Sequence, residues 1–217
     1  MTTEAQASGL GPVFGVFVGG RGTRLGGVVK GALRAPSGGT ILERLFEVVQ
    51  RGCPGASVVL VGETPLAAAL PRLSDSPAAR GPLGGLVALL RYAGAQGRAA
   101  VALASDLPSV SPALIRRVSS EHPEATLYAP RIDGIWQPLF ARYAPESLLP
   151  IVDEVLRSPH PRLLALLDRA PTWEMLIDEA ELRALTDWDE PTDLPPELRH
   201  QLPGHQPPGP QRSRKDE

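Results

Sequence analysis

Three apolar runs in the first half of the chain predict buried strands, at residues 13–18, 57–61 and 99–104. Each run is continuously apolar instead of alternating between apolar and polar positions. Continuous runs of this length are typical of strands that are covered on both faces. The pattern therefore favours a parallel sheet with helices packed on its two sides.

Helical patterns separate these strands. Thr40, followed three residues later by Glu43, is a capping-box pattern, and apolar residues then recur at helical spacing as far as residue 49. Further helices are predicted at 66–73 and 86–95, and another from Ser111-Pro112, with serine as N-cap and proline at the first helical position. The alternation of strand and helix predicts an α/β fold with a mainly parallel sheet.

The second half of the chain is less regular. Short strands are predicted at 126–129 and 139–142, and residues 131–138 between them form a hairpin-like or lid segment. Helices at 148–156 and 162–169 and a last strand at 173–177 follow.

The length of 217 residues suits one large α/β domain. Residues 1–11 are small and polar, which indicates a loose N-terminus. The domain is predicted to cover residues 12–198. From 199 to 217 proline, glutamine, histidine and arginine dominate, which predicts a disordered tail.

Composition excludes several classes of protein. The net charge of −2 and an aromatic content of 5% give no support for binding nucleic acid. Cys53 is the only cysteine, so an intrachain disulfide and a thiolate metal cluster are both excluded. With no apolar run near the roughly 20 residues of a membrane span and no signal-peptide pattern, we expect no membrane partner and a cytoplasmic protein.

The loop after the first strand is the strongest chemical signal. Gly19 and Gly20 end the strand, and a loop rich in glycine and arginine follows. Glycines let backbone N–H groups approach a ligand closely, while Arg21, Arg24 and Lys30 add positive charge. The combination suits a polyphosphate. A solvated basic loop without a ligand is the alternative.

Asp106 directly follows the third strand and precedes Pro108. Ligands of open α/β sheets bind beyond the carboxyl ends of the strands, so Asp106 and the glycine loop are expected to share one cleft. A carboxylate there suits Mg²⁺ held together with substrate phosphates, although a helix-capping aspartate is the other interpretation. The chain has no GxxxxGK[ST] or GxGxxG spacing, and its histidines are scattered, which disfavours a P-loop, a dinucleotide dehydrogenase and a zinc site.

Five segments occur in the order of a known family. They are VGGRGTRLGGVVKG at 18–31, GPLGG at 81–85, SDLP at 105–108, QPL at 137–139 and DEPTDL at 189–194. They resemble motifs of the molybdenum cofactor guanylyltransferase family, among them its LAGGxxxRMGGxDKG loop. The resemblance covers about residues 13 to 194. It implies a three-layer Rossmann-like, glycosyltransferase-A-like nucleotidyltransferase domain.

The resemblance also implies roles for individual residues. It places one group of residues against the nucleotide: Phe17, Val18, Gly19, Gly20, Arg24, Lys30, Asp75 and Asp106. Arg24 and Lys30 would neutralise the triphosphate and, with Asp106, would be the catalytic residues. Asp106 and Asp189 would be the metal ligands. The chain departs from the family at Val29, where the family has an acid, and after the second strand, where Val61 or Gly62 replaces an asparagine.

The implied reaction is Mg²⁺-dependent transfer of GMP from GTP to molybdopterin with release of pyrophosphate. An acceptor molybdoenzyme or a maturation chaperone would be the protein partner. A related transferase that uses CTP or another acceptor is a close alternative. A non-catalytic relative that binds a nucleotide or the pterin cofactor during molybdoenzyme maturation is a second, and a plain α/β domain is a third.

Overall fold

A computed structural model describes residues 11–19, 25–35, 38–64, 69–76 and 81–203. The strands are β1 Val13–Phe17, β2 Ser57–Val61, β3 Arg72–Leu73, β4 Ala100–Ala104, β5 Leu127–Ala129, β6 Arg131–Ile132, β7 Ile135–Trp136, β8 Phe140–Tyr143 and β9 Thr172–Glu174. The helices are α1 Ile41–Gly52, α2 Pro82–Gly94, α3 Pro112–Ser120, α4 Pro145–Arg157, α5 Leu163–Leu167 and α6 Glu179–Ala184. Two 3-10 helices, Lys30–Ala32 and Pro196–Gln201, complete the described elements.

Seven strands form one sheet in the order β3-β2-β1-β4-β8-β5-β9. Strands β1, β2, β3 and β4 pair in parallel, and so do β5 and β9. Strand β8 lies between β4 and β5 and is antiparallel to both. The sequence-based expectation of an α/β fold with a mainly parallel sheet is confirmed.

The side chains of each strand alternate between two hydrophobic layers. On β1, Phe14 and Val16 face the layer that contains α1 and α3, whereas Val13 and Phe17 face the layer that contains α2, α4 and α5. Gly15 lies where α2 approaches closely, since a Cβ there would stand 2.5 Å from Cδ2 of Leu89. Both faces of the central strands are therefore covered by helices.

Helix α1 begins as its sequence predicts. The Thr40 hydroxyl accepts a hydrogen bond from the Glu43 N–H, and the Glu43 carboxylate accepts one from the Thr40 N–H. Helix α3 likewise begins at Ser111, whose hydroxyl accepts from the N–H of Leu114. These caps satisfy backbone donors that a helix start leaves without an intrahelical partner.

Some elements differ from the predicted ones. The helix predicted at 66–73 is wrong at its end, because residues 72 and 73 form strand β3 beside β2, while 65–68 lie outside the described residues. The hairpin expected within 131–138 is present, as β6 and β7 pair antiparallel. Helix α2 begins at Pro82, four residues before the predicted start.

The described chain continues in regular structure past the predicted domain boundary at 198. The 3-10 helix ends at Gln201, and Leu202 is buried. Residues 199–203 thus pack against the domain, in contrast to the predicted tail, and 204–217 lie outside the described residues. None of the helices in the described ranges combines the length and the apolar character needed to cross a bilayer.

Gly52 allows α1 and α3 to approach each other, because a Cβ at this position would stand 2.6 Å from both the Pro112 carbonyl oxygen and Cβ of Ile115. These are backbone or near-backbone atoms that cannot move aside cheaply. We expect Gly52→Ala to lower the free energy of unfolding by about 1–3 kcal/mol. Urea unfolding measures this change, and Arg51→Ala, at the exposed neighbouring position, is the control. Equal unfolding midpoints for the two variants would contradict the close approach.

Candidate active site

Three neighbouring strands end side by side at one edge of the sheet. Phe17 pairs with Val61 on one side and with Ala104 on the other, so β1, β2 and β4 terminate at the same level. The Val18 N–H donates to the Val61 carbonyl at 3.0 Å, and the Ser105 N–H donates to the Phe17 carbonyl at 3.2 Å. These bonds extend the register by one residue beyond the strands. The chain segments that follow the three strands therefore lie next to one another.

A cleft of about 910 Å³ opens at this edge. Its lining contains most of the residues predicted to face a nucleotide: Phe17, Val18, Gly19, Lys30, Asp75 and Asp106. Gly20 and Arg24, also predicted for the site, lie outside the described residues. The structure thus gathers the described members of the predicted set around one cavity.

A second cleft, of about 410 Å³, lies on the other side of Asp106. Its walls come from the β6–β7 hairpin, the chain between β7 and β8, and α6 with the residues after it. The lining is largely apolar and includes Leu107, Ile132, Phe140 and Leu182. Asp106 is in the lining of both clefts. A group bound in one cleft would therefore meet a group bound in the other beside this carboxylate.

Lys30 is the first residue of the 3-10 helix that follows the glycine loop. Its ammonium donates to Oδ2 of Asp106 at 2.7 Å and to Oδ1 of Asp189. Partial burial acts to lower the pKa of Lys30, but the hydrogen bonds and charges of the two carboxylates outweigh it, so the pKa is raised above its ordinary value. Lys30 is therefore firmly cationic at neutral pH.

Asp189 reaches Lys30 because the segment around it is tightly folded. The Asp193 carboxylate accepts the N–H groups of Asp189 and Glu190, at 2.9 and 2.6 Å. On the opposite side, the N–H of the buried Trp188 donates to the Asp106 carbonyl at 3.2 Å. This bond attaches the C-terminal segment to the loop after β4, which brings the two aspartates together.

Asp187 is a third carboxylate at the same place. Oxygen atoms of Asp106, Asp187 and Asp189 all lie within 4.8 Å of one another. Burial raises the pKa of Asp187, and the negative charges of the other two aspartates raise it further, whereas Lys30 lowers it. Three carboxylates against one ammonium leave net negative charge. Carboxylate oxygens are the ligands that Mg²⁺ and similar hard divalent cations prefer, so this set of donors fits such an ion.

The far end of the larger cleft carries two further acids, Asp75 and Glu63. Oδ1 of Asp75 would stand 3.4 Å from a Cβ at Gly85, so this glycine lets the start of α2 lie close to the carboxylate. Glu63 accepts a hydrogen bond from the Ser74 hydroxyl at 3.3 Å. Carboxylates accept hydrogen bonds only, and this end of the cleft therefore suits a ligand that presents N–H donors.

Sequence reasoning missed Asp187 and Glu63. The Asp-Trp-Asp triplet at 187–189, with one buried tryptophan between two acids, is a signal that points to both aspartates. Glu63 lies two residues after the end of β2, as Asp106 lies two residues after the end of β4, and the same reasoning applies to it. Val29, which replaces an acid of the resembled motif, is half-buried and precedes the 3-10 helix. The carboxylates that contact Lys30 come instead from 76 and 159 residues further along the chain.

Solved structures with the same fold include proteins from several organisms. Molybdopterin-guanine dinucleotide biosynthesis protein A from Archaeoglobus fulgidus has a TM-score of 0.66 at 20% identity, over 83% of this chain and 94% of that chain. A nucleotidyl transferase from Methanothermobacter has a TM-score of 0.63 at 19% identity, over 84% and 94%. Rv0371c from Mycobacterium tuberculosis, in complex with manganese, has a TM-score of 0.50 at 18% identity, over 81% and 98%. At these identities the likeness establishes the fold.

A comparison of the sequence with curated proteins finds no significant match. A protein-family model, described as the MobA-like NTP transferase domain, matches residues 15–171. This range contains the strand ends, Lys30, Asp75 and Asp106, whereas Asp187 and Asp189 lie beyond it. Because the match covers most of the chain, the chain belongs to the family with a MobA-like NTP transferase domain and is a nucleotidyltransferase.

Proposed function

We propose that this protein transfers GMP from GTP to the terminal phosphate of molybdopterin, with Mg²⁺ as cofactor and pyrophosphate as the second product. The position of Asp106, in the walls of two clefts and in contact with Lys30, is the observation that carries the proposal. A transferase must bring the donor's α-phosphate and the acceptor's nucleophile together. The wall between the two clefts is suited to that meeting.

GTP is assigned to the larger cleft. Its volume of about 910 Å³ accommodates a nucleoside triphosphate, and Lys30 would face the phosphates. The N1–H and N2–H groups of guanine are donors that a carboxylate accepts, and Asp75 and Glu63 supply carboxylates at the far end. The Val18 N–H and the Phe17 carbonyl are already hydrogen-bonded within the sheet, so side chains would contribute much of the base recognition.

The metal would be held by Asp106, Asp187 and Asp189. A divalent cation bound there polarises the phosphate oxygens and neutralises charge on the triphosphate. The solved manganese complex of a protein with this fold gives general support for a divalent ion. Lys30 would move from the carboxylates towards the phosphates and stabilise the negative charge that develops as pyrophosphate leaves.

Molybdopterin is assigned to the smaller, largely apolar cleft, whose walls suit a flat ring system. The name of the Archaeoglobus protein, which mentions molybdopterin-guanine dinucleotide biosynthesis, supports molybdopterin as the acceptor. An oxygen of the acceptor phosphate would attack the α-phosphorus of GTP, and the bond from that phosphorus to the bridging oxygen of pyrophosphate would break. Positioning and charge stabilisation are sufficient for such a transfer, so the chain need not supply a covalent nucleophile.

Pyrophosphate release tests the proposal directly. The assay contains Mg²⁺ and molybdopterin, with GTP, CTP or ATP supplied in parallel. We expect release with GTP and much less with the other two nucleotides. Release with CTP alone would retain the reaction type and change the nucleotide. Folded protein that binds GTP and molybdopterin yet releases no pyrophosphate would reject catalysis and favour a non-catalytic binding role.

Asp106→Asn is expected to lower the turnover by at least about 100-fold, because it removes a charged ligand at the meeting point of both substrates while preserving the side-chain shape. Pyrophosphate release at saturating GTP and Mg²⁺ measures the loss. Asp153→Asn, on the exposed face of α4, is the matched control and should retain wild-type activity. Similar turnover in the two variants would exclude Asp106 from the chemistry.

Lys30→Met keeps most of the length of the side chain and removes its charge. We expect the GTP affinity to weaken by about 1–3 kcal/mol, the usual contribution of a charge-assisted contact to phosphate. Equilibrium binding of a fluorescent GTP analogue gives the dissociation constant. Arg157→Met on α4, an exposed cation that is not part of the lining of the larger cleft, is the control. An unchanged dissociation constant in Lys30→Met would show that the ammonium does not bind the triphosphate.

A further inference from the structure

Residues 194–203, which we name the C-terminal clamp, lie against residues 25–35, which we name the Lys30 loop. The side-chain carbonyl of Gln201 accepts a hydrogen bond from the Arg34 N–H at 2.6 Å. At the other end of the loop, Cδ and Cγ of Pro203 lie 3.3 Å from where a Cβ of residue 26 would stand. The clamp therefore contacts residues on both sides of Lys30.

Apolar burial joins the clamp to the same loop. Leu194 and Leu202 are buried and belong to one hydrophobic cluster with Leu25 and Leu33. Leu198, between them, packs against that cluster. Leucines of the loop and of the clamp are thus buried in the same hydrophobic layer, on the face of the sheet that carries α1 and α3.

Hydrogen bonds within the clamp and to the residue two positions before it give it a defined shape. The Arg199 guanidinium donates to the Leu194 carbonyl at 3.0 Å and to the Thr192 carbonyl at 3.2 Å. The Leu202 N–H donates to the Arg199 carbonyl at 3.0 Å. The clamp begins one residue after Asp193, which fixes the segment whose Asp189 receives the Lys30 ammonium.

The Lys30 loop has little regular structure of its own, although the Ile41 N–H, at the start of α1, donates to the Leu33 carbonyl at 2.9 Å. Gly26 and Gly27 adopt positive φ angles of 72° and 85°, and the 3-10 helix that follows has three residues. A short loop of this kind loses considerable conformational entropy when a ligand fixes it, unless neighbouring segments fix it beforehand. The clamp contacts supply such neighbours.

We propose that the C-terminal clamp holds the Lys30 loop in its ligand-binding position, with Gln201 and Leu202 as positioning residues that do not touch the substrates. The statement that the fixed position is the ligand-binding one rests on the proposed function, because the ligand of the loop is taken to be a nucleoside triphosphate. The first part, that the clamp fixes the loop, concerns the chain alone.

The test uses the full chain and two clamp variants, Gln201→Ala and Leu202→Ala. Leu166→Ala is the matched control, since Leu166 is equally apolar and buried but lies in the layer on the opposite face of the sheet. Amide hydrogen exchange of residues 25–35 without ligand reports the order of the loop. Binding of a fluorescent GTP analogue and steady-state KM and kcat report its effect on the nucleotide.

We expect faster exchange at 25–35 in both clamp variants, and a dissociation constant and KM for GTP raised about three- to tenfold, with kcat changed less. Leu166→Ala should lower the thermal midpoint without either effect. Unchanged exchange at 25–35 in the clamp variants would overturn the proposal, and so would faster exchange with unchanged GTP binding. If the wild type binds no GTP while exchange still accelerates in the variants, the clamp is supported and GTP is rejected as the ligand.

Discussion

The ammonium of Lys30 between the carboxylates of Asp106 and Asp189 is the interaction around which this end of the molecule is organised. Its three members come from the loop after β1, the turn after β4 and a segment near the end of the described chain. None of these segments is regular structure over more than a few residues. Their juxtaposition depends on the parallel register of β1 and β4 and on the bond between Trp188 and Asp106.

The Lys30 ammonium stabilises a cluster of three carboxylates that would otherwise be unfavourable. Three carboxylates gathered within a few ångströms repel one another, and this repulsion adds to the effect of burial in raising the pKa of Asp187. The Lys30 ammonium offsets part of it. The remaining negative charge is compatible with a divalent cation, and any cation that enters competes with Lys30 for the same oxygens. The Lys30 ammonium and a divalent cation are thus alternative partners of these acids.

The parallel sheet and the meeting of Lys30 with Asp106 at one edge of it were predictable from sequence. Continuous apolar runs predict parallel strands, and parallel strands bring their carboxyl ends together, so Lys30 and Asp106 were correctly expected near one cleft. The direction of β8 was not predictable, because a four-residue strand pattern such as 140–143 carries no information about its orientation. Residues 199–203 of the clamp fall within the predicted tail, because proline-rich composition is typical of disordered segments, although Leu202 is buried against the domain.

The shared wall between the two clefts has a consequence for release. In the proposed reaction, a product that joins a nucleotide to a second molecule would span both cavities and contact both sides of Asp106. Each substrate, by contrast, would lie in one cavity only. Such a product would gain the combined contacts of both parts and dissociate more slowly than either precursor. Departure of the joined molecule, instead of bond formation, would then set the pace of turnover, and a protein waiting to receive it could accelerate the cycle.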